Sequence, residues 1–255
     1  MNFIRLVLAT VLFAAPAAAR AEENRYDLLG RLLMPFVSVF AKTTTNPNRA
    51  LVLTARLEQM TDVPPDLIGS KAELAVQYPD KLRLHLPVLG EDVTICRNGE
   101  ELWAYPGSKV EALLAVASAA KKLPKPDRKF RLEPFQLPIP EKQFVFLPVL
   151  FQVKDIGSES LDGEPCRVLD LFLMPELAKS LKAQGWAARV WARSDAKPAR
   201  LSVAKPGWNL VVRFEQVEFA PKLPDSTWEP TSEQAADVLK LDPVRYQQLL
   251  GALVK

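Results

Sequence analysis

The chain has 255 residues, 48% of them hydrophobic and 25% charged, with 33 basic side chains against 30 acidic ones. That length can bury one fair-sized core, and the near balance of charge excludes the dense basic footprint of a nucleic-acid binder. A single histidine and two cysteines exclude a histidine-based hydrolase triad away from His85 and make a dedicated zinc site a poor fit.

The first residues read as an export leader. Arg5 supplies the positive start, the run from Leu6 to Ala15 a short apolar core, and Ala19-Arg20-Ala21 a small-x-small cleavage site. Pro16 and the shortness of the core favour this over a membrane anchor. Cleavage after Ala21 removes Arg5 and Arg20 and no acid, so 33 basic residues become 31 against 30, and the mature charge falls to +1. No cysteine follows the cleavage site for lipid attachment. The expected location is the periplasm, the expected state a monomer, and the expected division is leader 1–21, main domain 22–230 and a helical extension 231–255.

Residues 26–42 place Leu28, Leu29, Leu32, Leu33, Phe36, Val37 and Phe40 at helical steps, with Pro35 as a kink or break. The segment 43–48 reads as a turn. A strand is expected over 51–60. After Pro64-Pro65, residues 71–88 alternate cleanly, with Leu82, Leu84 and Leu86 on one face and Arg83 and His85 on the other. Asn98-Gly99 marks a hairpin between 93–96 and 101–105. Residues 108–122 read as a helix with Val110, Leu113, Leu114 and Ala117 on its apolar stripe and Ser108 as N-cap, ended by Pro124 and Pro126. Lys121, Lys122 and Lys125 form a short basic run that reads as a solvated helix end.

Residues 130–153 crowd aromatic and aliphatic side chains between four prolines and read as a short helix or an irregular flap. Asp162-Gly163 is a turn, 166–173 a strand, and 175–184 a helix closed by Gly185. Residues 186–220 carry the pattern of an antiparallel meander, broken at Ser194-Asp195, Lys197-Pro198 and Lys205-Pro206-Gly207. Two helices are expected to finish the chain, one with Thr231 and Gln234 in capping-box spacing, the other with Asp242 as N-cap and Pro243 in its first turn.

Catalytic signals are missing. The sequence holds no Gly-x-Ser-x-Gly elbow, no His-Glu-x-x-His helix and no Gly-rich phosphate loop. Asp155, Glu159, Asp162 and Glu164 cluster, but they read as solvated loop charges, and their spacing does not match an EF-hand. The five tryptophans read as sheet-edge packing rather than a sugar platform. No enzyme activity, metal or cofactor is expected. Cys96 and Cys166 are a candidate disulfide for an exported protein.

The order of motifs carries a resemblance. A first helix is followed by Tyr78-Pro79-Asp80-Lys81-Leu82-Arg83, then by Asn98-Gly99-Glu100-Glu101-Leu102-Trp103-Ala104-Tyr105. A late run pairs Arg189-Val190-Trp191 with Pro198-Ala199-Arg200-Leu201 and closes on Leu223-Pro224-Asp225-Ser226-Thr227-Trp228-Glu229-Pro230. This resembles the periplasmic LolA/LolB-like lipoprotein-carrier superfamily over residues 26–230. The resemblance implies an α+β, mostly β fold, an incomplete antiparallel β-barrel whose concave side is covered by helices. It also implies an apolar cavity for an acyl chain of a lipoprotein or lipid, or else a non-catalytic envelope module that binds a protein partner.

On that reading Leu82, Leu84 and Leu86, with Leu210, Val212 and Phe214, line the sheet face. Leu32, Phe36 and Phe40 of the first helix face them, with Leu113 and Leu114 of the second. Phe144, Phe146 and Leu150 belong to a movable flap. An ordinary dry core has the same composition, and both readings stand at this point.

Overall fold

Among the described residues, eleven strands lie side by side in one antiparallel sheet that does not close on itself. The computed structural model describes residues 24–40, 49–88, 90–119, 132–135 and 141–253. The export leader, the turn 43–48, the lysine run, Leu137 and Ile139 lie outside the described residues.

The order across the sheet is β11 (Leu239–Lys240), β5 (Glu101–Tyr105), β4 (Glu91–Asn98), β3 (Lys81–Val88), β2 (Lys71–Gln77) and β1 (Ala50–Met60), followed by β10 (Trp208–Ala220), β9 (Pro198–Lys205), β8 (Ala187–Ala192), β7 (Glu164–Leu173) and β6 (Phe151–Leu161). Almost every neighbour is a hairpin partner, which is why short turn signals recover so much of the topology. Among the described strand pairings, two join distant parts of the chain, β1 with β10 and β11 with β5. Residues 71–88 form two strands rather than one, split at Tyr78 to Asp80. Asp162 and Gly163 take positive φ of 54° and 83° and turn β6 into β7. Gly99 does the same between β4 and β5 at 67°.

Register decides the faces. Leu82, Leu84 and Leu86 pair with Arg97, Ile95 and Val93, so all of them share one face. Leu53, Leu74 and Val217 continue it through β1, and Val212, Leu201, Val190 and Leu169 carry it to β7. This is the concave, helix-covered face.

Helix α1 (Arg25–Phe40) crosses that face. Its first half buries Leu28, Leu29 and Leu32 against Val153, Leu169, Leu171 and Val190. Its second half sets Val39 with Leu51, Val76, Phe214 and Val217, where Phe36 meets Phe219 edge-on at 5.1 Å. Pro35 lies inside the helix without breaking it, and its carbonyl accepts a hydrogen bond from the Ser38 hydroxyl. Helix α2 (Gly107–Ala119) and helix α4 (Pro243–Leu253) cover the other end, packing Val110, Leu114, Tyr246 and Leu249 on Val93, Ile95, Leu102 and Ala104. The short helix α3 (Pro175–Ser180) links β7 to β8 and ends earlier than the expected 175–184. Residues 141–150 form a 3-10 helix that runs into β6.

Two caps match the sequence. Asp242 Oδ1 accepts from the Val244 and Arg245 amides at 2.9 Å and starts α4. Thr231 and Gln234 bond reciprocally, but the box closes only a single 3-10 turn, Gln234–Asp237, where a helix was expected. Ser108 is no cap. Its amide and hydroxyl both donate to Asp237 from the C-terminal segment, so the start of α2 is capped across the chain.

The convex face carries its own cover. Leu223 to Val238 lies over Ala75, Cys96 and Trp103, with Trp228 1% exposed. The Trp228 carbonyl accepts from the Trp103 indole at 3.1 Å, and Arg83 donates to the Thr227 carbonyl at 2.9 Å.

The expected disulfide is not formed. Cys96 and Cys166 are both free and buried. Cys96 lies on β4 and Cys166 on β7, seven strand steps apart in the sheet order. At roughly 4.8 Å per strand that is about 34 Å along the sheet, whereas a bridge needs Cα atoms within about 7 Å.

Candidate functional site: the concave apolar face

Alternation places a largely apolar surface on one side of the sheet, and the helices roof it unevenly. The expected lining residues fall into three groups. Leu32 belongs to the cluster under the first half of α1, while Phe36, Phe40, Leu82, Val212 and Phe214 share the cluster under its second half. Leu114 lies at 4% exposure under α2, and Leu113 beside it is half-buried.

Leu84, Leu86 and Leu210 lie on the same face by register and stay half-buried, outside every buried cluster among the described residues. Leu57, paired with Val212, joins them. Leu84 and Leu86 form a seam on β3 between the α1 cluster, which reaches Leu74, and the α2–α4 cluster at Ile95 and Val93, whereas Leu57 and Leu210 lie toward the Met60 end of β1 and β10, beside Val212 of the α1 cluster.

The 3-10 helix divides its own residues. Phe144 is buried at 2% exposure, whereas Phe146 is 61% and Leu150 39% exposed. The structure therefore does not bring Phe146 and Leu150 to the concave lining. The helix rests on α1, where Pro148 Cγ stands 3.7 Å from the place a Cβ on Gly30 would take.

Sequence reading missed one charged residue of this face. Arg97 follows Val93 and Ile95 in the alternation of β4, points to the apolar side and is 5% exposed. Among the described residues no carboxylate pairs with it. It donates instead to the carbonyls of Gly99 at 3.3 Å, Leu132 at 3.1 Å and Glu133 at 2.8 Å, and its guanidinium stands 4.9 Å over the Phe135 ring. A buried guanidinium is tolerated only when its donors are met. The signal that marks it is a lone charge at a core position of an alternating strand.

Arg97 and the Phe135 amide, which donates to the Pro79 carbonyl at 2.7 Å, fix residues 132–135 as a strap. Leu132 packs with the α2–α4 cluster and Phe135 with the α1 cluster, so the strap spans the two roofs. Tyr246 of α4 is buried nearby, and burial pushes its hydroxyl pKa up, against the pull of the Arg97 charge.

Polar groups elsewhere serve the scaffold. His85 lies on the convex face with Nδ1 3.0 Å from the Thr94 hydroxyl. The four clustered carboxylates are held along the β6–β7 hairpin. Asp155 accepts from Arg167, Glu159 from the Trp191 indole at 2.7 Å, Asp162 pairs with Arg213, and Glu164 with Arg193 at 3.5 Å. Burial alone would raise the Asp155 pKa, but the hydrogen bonds from Arg167 and the Gly157 amide and the Arg167 charge outweigh it and lower it. Among the described residues no group of three or more His, Cys, Asp or Glu could hold a metal ion. No helix among them is long and apolar enough to cross a membrane.

No protein-family model matches the sequence, and no curated protein matches it. Solved structures with a related fold are found. The chain is similar to the lipoprotein LppX of Mycobacterium tuberculosis at 10% identity and a TM-score of 0.42, covering 80% of this chain and 99% of that one. It is similar to the MucA/MucB complex of Pseudomonas aeruginosa at 11% identity and a TM-score of 0.41, covering 85% of this chain and 63% of that one. A LolA superfamily protein from Nitrosomonas europaea is similar at 13% identity and a TM-score of 0.27, covering 78% and 96%. At TM-scores below 0.5 these structures set no geometry for this chain, and the functional case rests on its own residues.

Proposed function

We propose that this protein is a periplasmic, non-catalytic binding or carrier protein that holds an acyl chain of a lipid or lipoprotein against the concave face of its sheet. The observation that carries this reading is the set of half-buried leucines left outside the packed clusters, Leu84 and Leu86 in the seam on β3 and Leu57 and Leu210 toward the end of β1 and β10. A dry core would draw such side chains into its clusters. A face that takes a hydrocarbon guest leaves them available, and each methylene buried there is worth about 0.8 kcal/mol. No covalent chemistry is asked of the site, in keeping with carboxylates committed to arginines and an indole.

A protein partner added as a strand at the open edge of the sheet is the second class of ligand. Both edges argue against it: β11 is only two residues long, and on β6 a register shift between Asp155 and Gly157 and the charges Lys154 and Glu159 interrupt a flat template.

The test is displacement of a fluorescent fatty acid, with lipid analysis of protein purified from its native envelope. Leu84→Asp places a charge in the seam without emptying a packed cluster, and it is expected to weaken fatty-acid binding more than tenfold while the circular dichroism spectrum is retained. Phe36→Asp should do the same from the α1 side. Wild-type affinity in a folded Leu84→Asp protein would overturn the reading.

A further inference from the structure

One end of the sheet gathers surface that the acyl-chain reading does not use. Ten large apolar side chains among the described residues are exposed, and six of them, Met60, Ile68, Val149, Leu150, Met174 and Leu181, lie at or beside strand ends on this side of the sheet. Leu150 and Met174 are joined there by a backbone hydrogen bond of 3.0 Å. Helix α3 follows Met174 and leads to Leu181, which is 61% exposed. Beyond Gly185 the chain reaches Trp186, whose ring lies 5.5 Å from Trp208 across the strands. Lys205 holds its ammonium 5.0 Å over the Trp186 ring and 5.9 Å over the Trp208 ring.

Charge follows the same border. Lys179, Lys182 and Lys205 are exposed around this patch, with Glu176 as the acid of α3. The neighbouring β1–β2 connection, which carries Met60 and Ile68, adds Asp62 and Asp66, so the positive region ends there.

We propose that the end of the molecule formed by α3, the β9–β10 turn and the close of the 3-10 helix docks on an anionic lipid bilayer. Half-buried tryptophans beside lysines, with aliphatic side chains pointing outward, match the layered polarity of a membrane interface. Lysines contribute about 1 kcal/mol each near an anionic surface, which is about fivefold in partitioning per side chain. The apolar groups come from four separate stretches of chain. That geometry suits a fluid phase better than a shape-matched protein. This goes beyond the acyl-chain reading but deepens it, since hydrocarbon cargo is collected and delivered at bilayers.

The experiment is cosedimentation of the full chain with vesicles of phosphatidylcholine alone and of phosphatidylcholine with phosphatidylglycerol at 7:3. Wild type is expected to bind the mixed vesicles at least tenfold better and to be released by 0.5 M salt. The triple variant K179E/K182E/K205E is expected to lose about a hundredfold, from roughly fivefold per lysine, and Leu181→Asp to lose at least fivefold. Both should keep their circular dichroism spectra and their fluorescent fatty-acid affinity. Folded wild type that binds neither vesicle, binds both alike, or binds as the triple variant does would overturn the proposal. So would capture of an acidic protein at this patch without vesicle binding. Vesicle binding by a chain that takes up no fatty acid would leave this surface standing and sink the carrier reading alone.

Discussion

Arg97 is where the apolar face departs most from an ordinary core. Its guanidinium is surrounded by Leu82, Leu102 and the Phe135 ring, and its donors go to carbonyl oxygens rather than to a carboxylate. Hydrogen bonds from a charged donor are worth about 1.5–3 kcal/mol each, which is what keeps a lone buried charge in place. Two of the three carbonyls belong to the strap. Arg97→Met should therefore free the strap before it unfolds the sheet. Hydrogen exchange at the Phe135 amide, now bonded to Pro79, is expected to quicken at least tenfold while the amides of β7–β9 keep their protection. Equal quickening at both places, or no change at Phe135, would show that Arg97 holds no separate strap.

At the level of helices and strands, the junction between α2 and the C-terminal segment leaves no room for a side chain at Gly107. Gly107 begins α2, and a Cβ there would stand 2.9 Å from the Asp237 carbonyl oxygen and 3.0 Å from the Leu239 backbone nitrogen and Cβ. Neither backbone atom can turn aside as a flexible side chain could. Gly107→Ala should press β11 away from β5 and loosen the Asp237 cap on Ser108, at a cost of about 1–3 kcal/mol, the usual range for overpacking. Urea denaturation measures it directly, and an unchanged midpoint would mean that the C-terminal segment gives way freely. The segment after Pro230 thus adds an edge strand, a cap and helix α4 to the main sheet.

For the molecule as a whole, cohesion comes from one sheet and its two roofs, with no covalent staple between its ends. The Cys96 thiol is pushed up to about 12 by burial, against the opposing pull of Arg83 and Lys81. Burial likewise raises Cys166. Both thiols stay protonated at pH 8, and neither is a competent nucleophile while the sheet is folded. The melting temperature is expected to be the same, within about 1 °C, with and without dithiothreitol, because there is no loop for a disulfide to close. Iodoacetamide at pH 8 should label neither cysteine until the chain is unfolded. A fall in melting temperature on reduction would show a bridge after all.

Local patterns made most strands legible in advance. Alternation sorted Leu82, Leu84 and Leu86 from Arg83 and His85, and Asn98-Gly99 and Asp162-Gly163 marked hairpins, because turn chemistry and the two-residue period act between close neighbours. The cap at Asp242 was legible for the same reason. The candidate lining was legible only as composition: Phe36 and Leu84 reach the apolar face, while Phe146 turns to solvent, and nothing in the local sequence distinguishes them. That Asp237 would cap α2 and that the two cysteines would lie seven strands apart depend on β11 meeting β5 and on β1 meeting β10, just as the strap and the outward face of the 3-10 helix depend on contacts with separate parts of the chain. Those two strand pairings join residues more than a hundred positions apart. Their free energy comes from packing in the finished sheet, which no short stretch of chain contains.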